Sequence, residues 1–418
     1  MAKDTWYRVD NVAKVFLASA NERDTRSFRI SCTLTDEVNP KILNSALLIA
    51  AKERPQYQVT ILEGFFWHYM DPTDDIPVAH EESERPCPML IGSKTFGKLH
   101  YKVTYYRNRI NLDIFHAITD GNGAFEYLNL IVNHYLKLSH PDTFPDVTVS
   151  SGASEADLSE DSFKQFYGKK KGSKGLVPQR KAYHIRGVKH LYNQVQFMEV
   201  HMPLKDVLAK SKETGVTLTS YIGTLLMMSI YRDMPALKRI MPITISMPVN
   251  LRNYYPSNTA RNFFNSVCVS HIFKHDESFN DVAKLYNNDL KAQLTPEAIS
   301  RQMDGYERFE NFLFVKMVPL FIKNPVVNIV AKKNNRNVSA VLSNLGKLEV
   351  PKEVSQYVKS YVAFCSTSSL FVVADSYGDE LVLGISSAYR NTRVLKNFIT
   401  SFSKEGIPVT LYSTEIAD

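Results

Sequence analysis

One short run of the chain puts an imidazole, a carboxylate and two glycines together: Phe115-His116-Ala117-Ile118-Thr119-Asp120-Gly121-Asn122-Gly123. Neutral imidazole is the usual protein base for lifting a proton from a hydroxyl or an amine near neutral pH. A histidine at the end of a strand, ahead of a glycine-flanked turn, can project its ring into a cleft. The same residues have a plainer reading. Asp120 is a good N-cap for a following helix, and a lone histidine in a turn is commonly structural. Composition and spacing alone leave both readings open. Other constellations carry less. His271 and His275 have i,i+4 spacing but follow a strand-like run and lack the glutamate of HExxH, so no metal site is expected. Neither GxGxxG nor GxxxxGK[ST] occurs, so nucleotide binding by such loops is not expected. Cys32, Cys87, Cys268 and Cys365 are far apart with no CxxC pair. A disulfide framework or cysteine zinc site is therefore not expected, and a reducing compartment fits.

The elements that must position this corner follow from periodicity. A hairpin with arms Leu99 to Tyr106 and Ile110 to Phe115 turns near Asn108. Its return arm alternates Ile110, Leu112 and Ile114 with Asn111 and Asp113, and an amphipathic helix from Gly123 to Leu138 follows. Upstream, a helix from Pro40 to Glu53 carries Ala46, Leu47, Ala50 and Ala51 on one stripe and precedes a strand around Tyr57 to Leu62. Downstream, a helix from about Thr219 to Tyr231 begins at a Thr/Ser cap. A second hairpin, Leu370 to Asp375 and Glu380 to Ser386, turns at Gly378-Asp379 and feeds a helix from Thr392 to Ser403. Helix, hairpin and helix thus occur twice, which predicts two related α+β halves with mostly antiparallel sheets. The corner after the second hairpin reads Ser387-Ala388-Tyr389-Arg390-Asn391-Thr392, so only the first carries imidazole and carboxylate. Between the halves, Ser150 to Gly175 is Ser/Gly/Ala-rich, then acidic, then lysine-rich, with one short apolar patch from Phe163 to Tyr167. This segment reads as a linker or long crossover. The expected division is 1–150, a crossover over 151–190, and 191–418.

The chain has 418 residues, 44% hydrophobic and 22% charged, the mix of an ordinary folded protein rather than a disordered, collagenous or low-complexity one. A net charge of +7 is too mild over this much surface to argue for nucleic acid. The first residues show no apolar signal-like region, and no segment reaches the roughly 20 apolar residues needed to cross a bilayer. The nearest, Phe312 to Ala331, is interrupted by Lys316, Pro319, Lys323 and Pro325. It reads as an amphipathic helix followed by a proline-broken second one, packed on the protein's own core or, alternatively, facing lipid or a greasy substrate. A cytoplasmic location is expected.

His116-x-x-x-Asp120-Gly121 resembles the HxxxDG signature of the acyltransferase superfamily built like chloramphenicol acetyltransferase, which includes alcohol O-acetyltransferases and condensation domains. Further segments follow in the family's order. Pro248-Val249-Asn250-Leu251-Arg252 is similar to its PVDLR segment, with Asn for Asp, and Asn262-Phe263-Phe264-Asn265 follows it. Ser343-Asn344-Leu345-Gly346, the opening Trp6-Tyr7-Arg8-Val9-Asp10-Asn11-Val12-Ala13-Lys14, and Gly64-Phe65-Phe66-Trp67 resemble the bacterial alcohol-acetyltransferase-like branch. The residue before His116 is Phe115, so the HH pair common in condensation domains is absent. The DFGWG segment of the plant branch is absent too.

The resemblance implies two sandwich halves with a tunnel between them, His116 as general base, and Asp120 paired with Arg252 to fix the corner. It implies an oxyanion donor, for which Ser343 and Asn344 are candidates, and transfer without an acyl-enzyme. The donor implied is acyl-CoA as co-substrate, with acetyl the expected group, no permanently bound cofactor and no metal. The acceptor is an alcohol or, alternatively, an amine. An acyl carrier protein is the alternative donor, and a catalytically silent binding module is the non-enzymatic reading. Lys169, Lys170, Lys171 and Lys174 are candidates to meet the phosphates of coenzyme A, with a solvated run as the plain reading. A monomer suffices if both halves wall one site.

Overall fold

The computed structural model describes residues 6–92, 98–144, 162–166, 180–191, 195–274, 277–302 and 318–414. Two large sheets organise them. The first runs in the order Val358–Cys365, Ser27–Leu34, Arg109–Phe115, Tyr101–Tyr106 and His80–Glu81, antiparallel except for the short last strand. The second has seven strands in the order Phe264–His271, Ile243–Asn250, Ala340–Lys347, Leu370–Tyr377, Glu380–Ser387, Gln196–Pro203 and Thr410–Ser413. Its Ala340–Lys347 strand is parallel to both neighbours. A three-stranded sheet of Tyr7–Arg8, His68–Pro72 and Val59–Glu63 stands beside them. Strand Val358–Cys365 lies late in the chain yet edges the first sheet, so the chain returns to its first half before completing the second.

Helices form where the apolar period and caps place them. In Pro40–Glu53 the Asn39 side chain accepts from the Lys41 and Ile42 amides, and Leu43, Ala46, Leu47, Ala50 and Ala51 are buried. This is the N-cap and stripe expected of a helix that covers a core. It packs on helix Gly121–Ser139, which in turn covers strands Ser27–Leu34 and Arg109–Phe115. On the second sheet, helix Leu218–Asp233, capped by Thr217, packs between Phe279–Gln293 and Arg393–Lys404. Tyr57 belongs to a short 3-10 turn, and the following strand is Val59–Glu63. The stretch expected to break at Pro325 instead contains a helix, Leu320–Asn335, that runs through the proline. Pro325 sits in its second turn, where a missing amide removes one internal bond without ending the helix. Residues 312–317 lie outside the described residues.

The segment expected to be a linker contributes a described helix, Ser162–Phe166. Its Phe163 is buried edge-on against Phe263, 5.2 Å between centroids, beside the residues that hold the His116 corner. The two large sheets approach closely. A Cβ on Gly384 would stand 1.9 Å from the carbonyl oxygen of Ala363, and Arg109 of the first sheet is paired with Glu199 of the second.

Candidate active site

His116 follows the last residue of strand Arg109–Phe115, and its amide donates to the Arg26 carbonyl at 2.9 Å. Its ring stacks on Phe16 (centroids 4.4 Å apart, 27° between planes) and touches Phe28 and Phe264. The ring thus sits in an aromatic box with one edge open to a cavity of about 140 Å³. Phe28 and Cys365 of the first sheet, Pro248, Asn250 and Ser343 of the second, and Gly121 of the helix share that cavity with His116. The cavity therefore lies between the two sheets.

Asn262 fixes the protonation of that ring. Its Nδ2 donates to the His116 carbonyl at 2.9 Å and lies 3.4 Å from Asp10 Oδ2. With the amide held that way, Oδ1 faces His116 Nδ1 at 3.2 Å. An oxygen cannot donate, so Nδ1 carries the hydrogen and Nε2 keeps its lone pair. Burial lowers the pKa of His116 from its ordinary 6.5, and the field of Asp120 and the hydrogen bonds to its own backbone and to Asn262 only partly oppose this. The ring is neutral at pH 7, as a proton acceptor must be. Sequence reasoning quoted Asn262 without a role. Its position immediately before Phe263-Phe264, at the entry to strand Phe264–His271, was the available signal.

Asp120 does two jobs. One carboxylate oxygen caps helix Gly121–Ser139 by accepting from the Gly123 amide at 3.1 Å. The other accepts from Arg252 Nη1 at 2.7 Å and from the Phe263 amide at 2.9 Å. Arg252 spends its remaining donors on the carbonyls of Thr259 and Arg261, at 2.7–3.2 Å, and is largely buried. Asn250 accepts from the Arg252 backbone amide and from Nη1. The plain and the chemical readings of Asp120 therefore coincide: the cap and the clamp are the same carboxylate.

Ser343 and Asn344 line the cavity. The Asn344 amide is engaged elsewhere, donating to Thr219 Oγ1 at 2.7 Å and accepting from the Gly346 amide at 2.8 Å. Gly121 lines the cavity with Leu345 Cδ2 at 3.0 Å from where a Cβ would stand. Gly123 is more constrained: a Cβ there would meet Thr119 Oγ1 at 2.3 Å and the Ala260 carbonyl at 2.5 Å. Cys365 also lines the cavity, but burial, reinforced by Asp24, pushes its thiol up to about 12. It stays protonated at neutral pH and is a poor nucleophile there.

Lys169, Lys170, Lys171, Lys174 and His275 lie outside the described residues. His271 pairs with Glu277 at 2.8 Å, and no cluster of metal-ligating side chains occurs among the described residues. Arg26 lies beside His116, and burial together with the Arg23 guanidinium lowers the pKa of Lys189. Lys189 donates to the Ser368 carbonyl, just beyond Cys365.

No family model matches the chain, and no curated protein matches it. Solved structures do. TRI101 of F. graminearum, complexed with coenzyme A and deoxynivalenol, matches with a TM-score of 0.64 at 11% identity, over 97% of this chain and 99% of that one. The trichothecene 15-O-acetyltransferase TRI3 of Fusarium sporotrichioides matches at 0.62 and 12%, over 96% and 94%. The first condensation domain of the CDA synthetase matches at 0.61 and 11%, over 96% of both. At these identities the likeness is one of fold. The chain has the α+β fold of two chloramphenicol-acetyltransferase-like halves that these solved structures share.

Proposed function

We propose that this chain is an acyl-CoA-dependent O-acyltransferase of the alcohol-acetyltransferase-like kind. It moves an acyl group, acetyl first among candidates, from coenzyme A to a hydroxyl acceptor. The observation that carries this reading is His116, kept neutral by burial, its Nδ1–H donating to Asn262 Oδ1 and its ring lining the cavity between the sheets. Nε2 takes the acceptor's proton as its oxygen attacks the thioester carbonyl. The new C–O bond forms, the tetrahedral oxyanion collapses, and the C–S bond breaks. The proton on Nε2 then passes to the departing thiolate, leaving ester and free coenzyme A. General-base assistance of this kind contributes about 10²–10⁴-fold.

Asp120 and Arg252 touch no substrate in this mechanism. They hold the corner. With the Asn344 amide engaged, Ser343 is the better placed candidate to donate to the oxyanion. The high pKa of the Cys365 thiol supports direct transfer without an acyl-enzyme. An amine acceptor or a carrier-protein donor uses the same base and is separated by the assay itself.

The test is release of free thiol from acetyl-CoA and longer acyl-CoAs, with panels of alcohols and amines, read with a thiol reagent. Release should depend on the acceptor and fall by about 10²-fold or more in a folded His116→Ala variant. Equal release by both proteins would overturn the assignment of His116. Release only from an acyl carrier protein would overturn coenzyme A as donor.

A further inference from the structure

We propose that the face formed by helix Leu320–Asn335 and the Gly64-Phe65-Phe66-Trp67 turn docks on an anionic phospholipid bilayer. The proposal is independent of the chemistry at His116. The helix turns most of its large apolar side chains outward. Over its first three turns the exposed positions are Phe321, Ile322, Pro325, Val326, Ile329 and Val330, one continuous stripe at i, i+4, i+8 spacing, and Lys332, Lys333, Asn334 and Asn335 are exposed beyond it. Phe321 and Ile329 expose 67% and 66% of their surface. The inward side carries Lys323, Asn324 and Asn328 beside the smaller apolar Val327 and Ala331, with Leu320 buried at its start. A helix that packs its apolar stripe on its own core shows the opposite arrangement.

The aromatic turn extends this stripe. Phe65, 65% exposed, meets Phe321 edge-on with centroids 6.3 Å apart. The Leu320 amide donates to the Phe65 carbonyl at 2.9 Å, and Lys323 Nζ to the Phe66 carbonyl at 3.0 Å. The turn and helix are therefore one surface. The chain has two tryptophans, Trp6 and Trp67. Trp67 is in the turn, and Trp6 packs edge-on against Tyr69 of the neighbouring strand; both are exposed. An amphipathic ring at an apolar edge is the side chain enriched at membrane–water interfaces.

Charge argues for a lipid occupant over a second copy of the chain. The helix carries Lys323, Lys332 and Lys333 and no carboxylate, and Arg336 follows it. It packs on helix Asn11–Ser19, which has Lys14, again no carboxylate, and an exposed Val15. Arg8 lies over the Trp67 ring at 4.6 Å. Glu63, exposed just before the turn, is outnumbered by these cations, so two copies face to face would bring mostly like charges together, whereas an anionic headgroup layer neutralises them. Basic residues flanking an exposed apolar and aromatic stripe are the composition of an interfacial helix. Among the described residues no helix is long and apolar enough to cross a membrane, so the contact is with the surface.

Flotation of the whole protein with vesicles tests this. Phosphatidylcholine vesicles containing about one third phosphatidylserine should carry the protein up, and pure phosphatidylcholine vesicles should not. Because both tryptophans lie on this face, their emission should shift to the blue with the mixed vesicles. The double variants Phe321→Asp with Ile329→Asp, and Lys332→Glu with Lys333→Glu, change exposed side chains. Each should lower the bound fraction by about tenfold or more with far-ultraviolet circular dichroism unchanged. Unshifted emission and no flotation would overturn the proposal, as would flotation unaffected by either variant. A concentration-dependent dimer that shifts the emission without vesicles would overturn it in favour of a second copy.

Discussion

At the scale of single residues, the decisive group beside His116 is an amide. Asn262 acts through His116 and is a positioning residue: it offers an oxygen to Nδ1 because its nitrogen faces two acceptors. Asn262→Ala removes that acceptor, so the hydrogen on the ring can move to Nε2, where it blocks proton abstraction. We expect kcat to fall about tenfold or more with KM little changed. Nitrogen NMR of His116 should show Nε2 unprotonated in the parent and a mixed tautomer in the variant. An unchanged tautomer with unchanged kcat would remove Asn262 from this role. The pH profile gives a second reading. Burial lowers the His116 pKa, so activity should be lost only as pH falls through a value below 6.5, with no loss between pH 7 and 8 from this group. An acid limb above 6.5 would contradict the burial argument. Asn262→Asp keeps an acceptor but adds charge, which favours imidazolium and should move that limb upward.

At the scale of elements, the corner is a strand end, a helix start and a facing strand tied at Asp120. Much of this was legible in the sequence because each tie has a local signature. Alternation in Arg109–Phe115, glycines after Asp120 and the apolar stripe behind them fix strand, turn and helix nearly in place. The Arg252 partnership followed only from the resemblance, since no periodicity links residues 120 and 252. The Asn262 amide and the helix running through Pro325 were not legible. Both depend on which neighbour lies across space, and that is set by packing rather than by spacing. The glycines show the same limit. Gly121 and Gly123 look equivalent in the sequence, yet a Cβ at 121 meets a movable Leu345 methyl, whereas one at 123 meets the Thr119 hydroxyl and the Ala260 carbonyl at 2.5 Å or less. Gly123→Ala should therefore destabilise by about 2 kcal/mol or more and lower activity, because Ala260 is in the segment that holds Arg252 and Asn262. Gly121→Ala should cost clearly less. Urea unfolding of both variants compares them directly. Equal costs would mean that the facing segment yields as easily as a leucine side chain.

At the scale of the whole molecule, the cavity exists because two sheets stand at a fixed separation, and charged groups share that task with the close Gly384–Ala363 contact. Arg109 on the first sheet binds Glu199 on the second. Glu199 also faces His201 at 3.4 Å, and His201 lies 3.2 Å from Glu380 on the adjoining strand. Burial drives the neighbouring Asp375 carboxyl well above its ordinary 3.8. Burial opposes a charge on His201, but the hydrogen bonds and fields of Glu199 and Glu380 outweigh it and raise its pKa to about 9. The sign of the consequence follows from linkage. The folded state holds this proton more tightly than the unfolded chain, so the stabilisation is fully present below about 6.5 and is lost as pH rises through about 9. After allowance for the solvent that reaches the cluster, the loss should be on the order of 1–2 kcal/mol. The parent protein should therefore melt at a lower temperature at pH 9.5 than at pH 6.5. His201→Gln cannot take up that proton, so the difference in unfolding free energy between the two proteins should shrink across the same interval. A difference that stays constant from pH 6 to 10 would mean that folding does not raise the His201 pKa, and that Glu199 and Glu380 do not hold its proton where the sheets meet.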